Sequence, residues 1–411
     1  MSTGSKSNAE VSAADHKYVF HSWSAQGAIS PIPVAKSSGS RFWDHDGKEY
    51  LDFSSQLVFT NIGHQHPKVV AAIQEQAATL TALAPQHASD VRNEAAMRIV
   101  ELAGSNFAKV FFTNGGADAI ENAIRMARIH TRKHKVLSTY RSYHGNTGAA
   151  INATGDPRRF PNEFAFGHVH FWGPYLYRTS FWAKDEAEEC ARALEHLEQM
   201  IIFEGPNTIA AILIESIPGT AGVLVPPKGY LEGIRALCDK YKILWIADEV
   251  MAGFGRTGKW FGFQHSAATP DLITFAKGVT SGYIPLGGVV ISGEIAKTFD
   301  EQVFPGGLTY MGHPLATATA VATIEVMKEE KMVENAAAIG EKILGPGLHE
   351  LAKKHKLIGD IRGVGVFWGV DLVTDRATRA PLAPYGGSSP AMNELVAACR
   401  KNGLMPFNNF N

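Results

Sequence analysis

The sequence predicts an α/β protein, with a large domain around a mostly parallel sheet and a smaller α+β domain assembled from both ends of the chain. Two observations carry that expectation. The first is a pair of continuous apolar runs, residues 210–214 (AAILI) and 243–247 (ILWIA), as expected for strands covered on both faces. Between them, Tyr230–Tyr241 repeats Leu231, Ile234 and Leu237 at helical spacing, with charges on the outer positions. The second is a change of texture on either side of this region, from alternating short runs to a hairpin-like segment before it and long helical stretches after it. Strands alternating with helices point to crossover units and a parallel sheet. Ligands of such sheets gather at the carboxyl ends of the strands.

In chain order, residues 1–15 are rich in Ser, Ala, Gly and Asn and read as a frayed tail. Residues 42–53 (FWDHDGKEYLDF) look like a hairpin turning at Asp46 and Gly47. Residues 110–113 form a short strand candidate, followed by a helix over 117–128 in which Ile120, Ile124 and Ala127 recur on one face. Residues 136–139 make another short strand. Beyond the two apolar runs, residues 316–330 and 334–354 have helical texture, and residues 363–372 (GVGVFWGVDL) alternate like a strand. The expected division is 1–60 (tail and part of the small domain), 61–315 (large domain) and 316–411 (the rest of the small domain).

Composition narrows the function. A chain of 411 residues buries about three quarters of the surface its unfolded form exposes, so it needs no disulfide or structural metal to fold. Lys plus Arg total 39 against 40 for Asp plus Glu, which lacks the basic excess of nucleic-acid and membrane-surface proteins. Cys190, Cys238 and Cys399 are far apart and odd in number, a pattern of a reducing compartment. No signal peptide is evident and no apolar run approaches the ~20 residues a membrane span needs, so a cytoplasmic protein is expected.

Four elements carry chemistry. Glu215 follows one apolar run, and Asp248 with Glu249 follows the other. Lys277 sits in Phe-Ala-Lys-Gly before a Gly-rich stretch; apolar neighbours desolvate an ammonium and favour the nucleophilic amine. Residues 113–117 (TNGGA) form a small-residue turn between strand and helix, where N–H groups can bind phosphate. Tyr143, with His144 and Gly145, offers an aromatic ring for stacking. Each has a plainer reading alone: a solvated strand end, a surface lysine, an ordinary turn, a loop anchor. Together they make the set pyridoxal phosphate needs.

At this point the chain resembles the class III aminotransferases of pyridoxal-phosphate fold type I, nearest to the taurine and ω-amine group. The resemblance runs from about Trp23 onward and rests on residues 246–258 (IADEVMAGFGRTG), 275–288 (FAKGVTSGYIPLGG) and 306–316 (GGLTYMGHPLA). It implies that Lys277 is the Schiff-base lysine and Asp248 the partner of the pyridine nitrogen. Val250 and Tyr143 would flank the ring, and Gly116 and Ala117 would hold the phosphate. Glu215 would stand near the site. Thr309 would reach the phosphate of the neighbouring subunit, which implies a homodimer. Trp23 would wall the substrate pocket, the alternative being a packing residue of the small domain. The implied reaction takes an amino group from a terminal amine (taurine, β-alanine or another ω-amine) and gives it to pyruvate or 2-oxoglutarate.

Departures from the family pattern bear on the substrate. Asn146 stands where many relatives have a carboxylate-binding arginine, and Phe407 or a neighbour where others have a mobile one. Relatives usually continue past this chain's end, so the small domain is expected to be incomplete. A mutase, a decarboxylase or a non-catalytic member of the fold remain alternatives. Residues 253–258 fit GxGxxG but run into no helix, and the paired histidines of residues 64–66 and 168–170 lack further ligands, so neither a dinucleotide nor a metal is expected. Asn152 heads a glycosylation sequon with nothing to indicate secretion.

Overall fold

The computed structural model describes residues 6–163 and 165–408. Its centre is a seven-stranded sheet of β1 (Phe107–Thr113), β2 (Lys135–Thr139), β3 (His168–Phe171), β4 (Ile209–Glu215), β5 (Leu244–Asp248), β6 (Leu272–Phe275) and β7 (Gly287–Ser292). The spatial order is β1-β7-β6-β5-β4-β2-β3. Only β7 runs against its neighbours. All seven residues of β4 are buried, because helices cover both faces and leave no polar side for alternation. Tyr230–Tyr241 is a helix, as its spacing predicts. Trp245, Phe254, Phe261 and Phe275 are fully buried.

The register sets the chemistry side by side. Glu215 pairs with Asp248 across β4 and β5, and Asp248 pairs with Thr274 across β5 and β6. The chain leaves β6 into Lys277, leaves β2 towards Tyr143 and leaves β1 into the helix Gly116–Thr131. All of these exits lie at the carboxyl end of the sheet, where ligands of parallel sheets bind.

Three expectations change. The segment read as a frayed tail contains a helix, Asn8–Tyr18, capped by a Ser7 and Glu10 box. The capping residues were legible, but the helix buries none of its own residues, so no apolar stripe marks it. Residues 363–372 are not one strand. Ile358–Val364 and Phe367–Asp375 form a hairpin that turns at Gly365, whose φ of +58° admits glycine readily. Both arms alternate, which disguised the turn. The helical stretch over 334–354 is interrupted by a π turn at Gly340–Leu344. There Gly340 passes so close to the hairpin that an added Cβ would lie 1.8 Å from the Gly365 carbonyl oxygen.

The hairpin near the N-terminus forms from Arg41–Asp44 and Glu49–Asp52, with Gly47 at φ +87° in its turn. Leu404–Met405 adds to it in parallel. No helix among the described residues is long and apolar enough to cross a membrane. Asn152 is buried, its amide donating to the Gly148 carbonyl, so the sequon is closed to modification.

Candidate active site

A cavity of about 350 Å³ opens at the carboxyl end of the sheet. Gly116, Ala117, Tyr143, Glu215, Asp248, Val250 and Lys277 all line it, so seven of the residues singled out from the sequence meet in one place. Trp23 and Thr309 are not on its wall. Trp23 meets Tyr143 edge to face, ring centroids 6.3 Å apart. Thr309 lies in an exposed turn of the chain.

Asp248 is buried and its Oδ2 lies 2.7 Å from His144 Nδ1. Its Oδ1 accepts the Val250 N–H at 3.0 Å, so both oxygens are oriented. His144 Nε2 is buried without a hydrogen-bond partner. Glu215 accepts the N–H groups of Tyr143 at 3.1 Å and Gly219 at 2.8 Å, tying two loops to the end of β4. Burial, aided by the charge of Asp248, raises the Glu215 carboxyl to about 7, against the lowering effect of His144 and those two N–H donors.

Lys277 begins a short 3-10 turn in the left-handed region, at φ +46°. A non-glycine residue held there is strained, and such strain concentrates at functional positions. Burial pulls the Lys277 ammonium down from the usual lysine range to about 8. Asp248 and Glu215 oppose that fall, and Arg256 and Arg158 reinforce it. The neutral amine is therefore the minor form below pH 8 and the major form above it. In the cofactor-free protein, the rate of pyridoxal phosphate capture is expected to rise with pH and level off above about pH 8. A rate still climbing towards pH 10 would mean an ordinary lysine.

The helix Gly116–Thr131 starts at the cavity with no side chain capping its first turn. Its first N–H groups and the positive end of its dipole are thus open to an anion. Gly116 keeps the backbone bare, since a Cβ there would come within 2.9 Å of Val250 Cγ2. Gly145, at φ +132°, lets the Tyr143 loop pass within 2.6 Å (added Cβ to Cβ) of Ala117.

Beside the cavity stands a residue that sequence reasoning does not single out. Arg158 lays its guanidinium over the Tyr143 ring, 3.6 Å from the centroid, and 5.8 Å from the centroid of Trp23. Asp156 orients it through both carboxylate oxygens, at 3.1 Å and 3.0 Å from Nε. Asn146 and Phe407, at the places where relatives carry an arginine, supply no cation. The cation arrives from the turn Pro157–Asn162 instead, which folds back on Tyr143 because Arg141 N–H donates to Gly155 O and Gly155 N–H to Ser142 O. No local spacing encodes that return.

Comparison with known proteins accounts for this arrangement. Residues 23–409 match the family Aminotransferase class-III. The chain is 35% identical to a taurine–pyruvate aminotransferase of Bilophila wadsworthia, over 97% of this chain and 88% of that protein. The chain is a class III aminotransferase. Its fold matches a solved taurine:2-oxoglutarate aminotransferase from Bifidobacterium kashiwanohense, in complex with PLP and glutamate, with a TM-score of 0.95. The identity is 45%, over 99% of this chain and 92% of that one. An (S)-enantioselective ω-transaminase from Thermomicrobium roseum superposes with a TM-score of 0.90 at 36% identity, covering 98% and 92% of the two chains. As a class III aminotransferase it is a pyridoxal-phosphate enzyme. The cavity suits that cofactor: a bare, uncapped helix start for a phosphate, an oriented carboxylate for a ring nitrogen, and a lysine amine for an aldehyde. Of the paired histidines, His64 lies against Asp52, His66 against Glu330 and His170 Nε2 against the Thr154 carbonyl. No group of three metal-ligating side chains occurs among the described residues.

Proposed function

We propose that the enzyme moves an amino group from a terminal amine bearing an acid group, such as taurine or β-alanine, to pyruvate or 2-oxoglutarate. Arg158 beside Trp23 and Tyr143 is the observation that carries this choice of donor. A planar guanidinium suits a sulfonate or carboxylate, and the flanking aromatic rings suit a short carbon chain. The names of the relatives point the same way.

In this reading Lys277 would hold the cofactor through its aldehyde carbon. Asp248, oriented by His144, would pair with the pyridine nitrogen and favour its protonated form. Val250 and Tyr143 would flank the ring and the Gly116 and Ala117 N–H groups would hold the phosphate, while Glu215 fixes the Tyr143 loop. Bound there, the cofactor supplies an electron sink that makes the carbon bearing the amine acidic. Lys277 Nζ would then be the base that takes the proton from that carbon. A lysine whose ammonium lies near 8 is neutral often enough to do so at physiological pH. Thr309, together with exposed Tyr310 and Val303, fits a surface that meets a second copy and reaches that copy's phosphate. The working form is then a homodimer.

The test is the visible cofactor band of the purified holoenzyme, followed through a panel of amines and then of oxo acids. Bleaching by taurine or β-alanine, and recovery with pyruvate or 2-oxoglutarate, is the expected result. A band that no terminal amine bleaches would rule the reading out. Replacing Arg158 by Gln should raise KM for taurine about 10- to 100-fold, as expected for losing a charged hydrogen bond. An amine without an acid group should be nearly indifferent to the change. If both donors weaken equally, Arg158 does not read the acid group.

A further inference from the structure

The turn that carries Lys277 is strapped by residues 59–66, a segment remote in sequence. Ile62 N–H donates to Ser281 Oγ at 3.1 Å, Tyr283 Oη donates to Gly63 O at 3.0 Å, and His66 N–H donates to Tyr283 Oη at 2.6 Å. At the near end of the strap, Asn61 stands directly against Gly278. A Cβ on Gly278 would lie 2.3 Å from Asn61 Nδ2. Both ends of the Asn61 amide are held: Nδ2 donates to Phe254 O at 2.8 Å, and Oδ1 accepts from Arg256 Nη2.

Arg256 is the unusual member of this group. It is buried, its Nε has no hydrogen-bond partner, and it enters no ion pair among the described residues. Asp52 is the carboxylate within electrostatic reach, but its oxygens are occupied by Ser54, Gln56 and His64. A buried cation without a counter-charge is costly, and it persists where surrounding structure over-determines it.

We propose that Asn61 and Arg256 form a positioning pair for Lys277, with Asn61 bracing the strained turn and Arg256 setting an unpaired positive charge within reach of the amine. The proposal rests on the reading of Lys277 as the cofactor lysine and extends it to residues that do not line the cavity. Four charged groups act on the Lys277 amine: Asp248 and Glu215 favour its protonation, and Arg256 and Arg158 oppose it. Asn61 is neutral, which leaves the Arg256 charge undiminished. A carboxylate in its place would cancel that charge.

The experiment compares wild type, Asn61→Asp and Asn61→Ala. In the cofactor-free protein, the pH midpoint of Lys277 acylation by acetic anhydride is read by mass spectrometry of the Lys277 peptide. In the holoenzyme, the rate of the amine half-reaction is read from the visible band, and the melting temperature is recorded for each. Asn61→Asp should raise the Lys277 midpoint by about one pH unit, the effect of neutralising a nearby charge. Asn61→Ala keeps the charge and removes the brace, so the saturated half-reaction should slow about tenfold, with the half-saturating amine concentration little changed. Variants that melt lower but keep the wild-type midpoint and rate would overturn the pair and leave Asn61 as packing only. The midpoint is read without cofactor, so it judges the pair independently. A shifted midpoint in a protein that forms no borohydride-stable adduct on Lys277 would sustain the pair and refute the cofactor reading instead.

Discussion

Replacing Lys277 by Ala is expected to abolish covalent cofactor retention and to lower kcat/KM for transamination by at least about 10⁴-fold. On the proposed reading two roles would be lost in one change: the amine that would hold the aldehyde, and the base that would take the proton from the substrate carbon. The cavity offers no obvious substitute, because Glu215 is held by the N–H groups of Tyr143 and Gly219 and Asp248 by His144 and Val250. The fold should survive. Lys277 makes no side-chain ion pair among the described residues, and the left-handed backbone there strains Lys and Ala alike. Pre-steady-state absorbance and the far-ultraviolet spectrum together measure this. A variant with a native spectrum and activity within tenfold of wild type would remove Lys277 from the chemistry.

Replacing Asp248 by Asn should cost about 10³-fold in the amine half-reaction, the scale of losing one preorganised electrostatic group. The carboxylate is buried, oriented at both oxygens and paired with a histidine, so Asn keeps the shape and loses the charge. The sign at Lys277 provides a second, independent readout. Asp248 favours the protonated lysine, so its neutral replacement should move the Lys277 midpoint below 8. The Asn61→Asp change moves it the other way. Cofactor capture by the apoprotein should therefore begin at lower pH in the Asp248→Asn variant even as its chemistry collapses. A midpoint that stays at 8 or rises would mean that Asp248 does not act on the lysine.

Much of this site was legible because parallel sheets announce their strands and their ligand end together. The apolar runs ending in Glu215 and Asp248 became neighbouring strands in register, as runs without alternation suggest. Gly116, Tyr143 and Lys277 were readable from their small or aromatic company, and the sheet brings them to one cavity. Arg158 was not legible. It comes from a loop whose return to Tyr143 depends on backbone hydrogen bonds to Gly155, which no side-chain spacing records. Asn61 and Arg256 were hidden for a similar reason, because their pairing joins residues 195 apart. The Asn8–Tyr18 helix escaped because capping, not an apolar face, marks it. The hairpin at Gly365 escaped because two adjacent strands with the same alternation read as one.

The most direct test of the account is borohydride reduction of the protein reconstituted with pyridoxal phosphate, followed by peptide mapping. A single adduct on Lys277, formed more readily above about pH 8 than below it, is the predicted result. An adduct on another lysine, or none, would contradict the assignment on which the mechanism and the positioning pair are built.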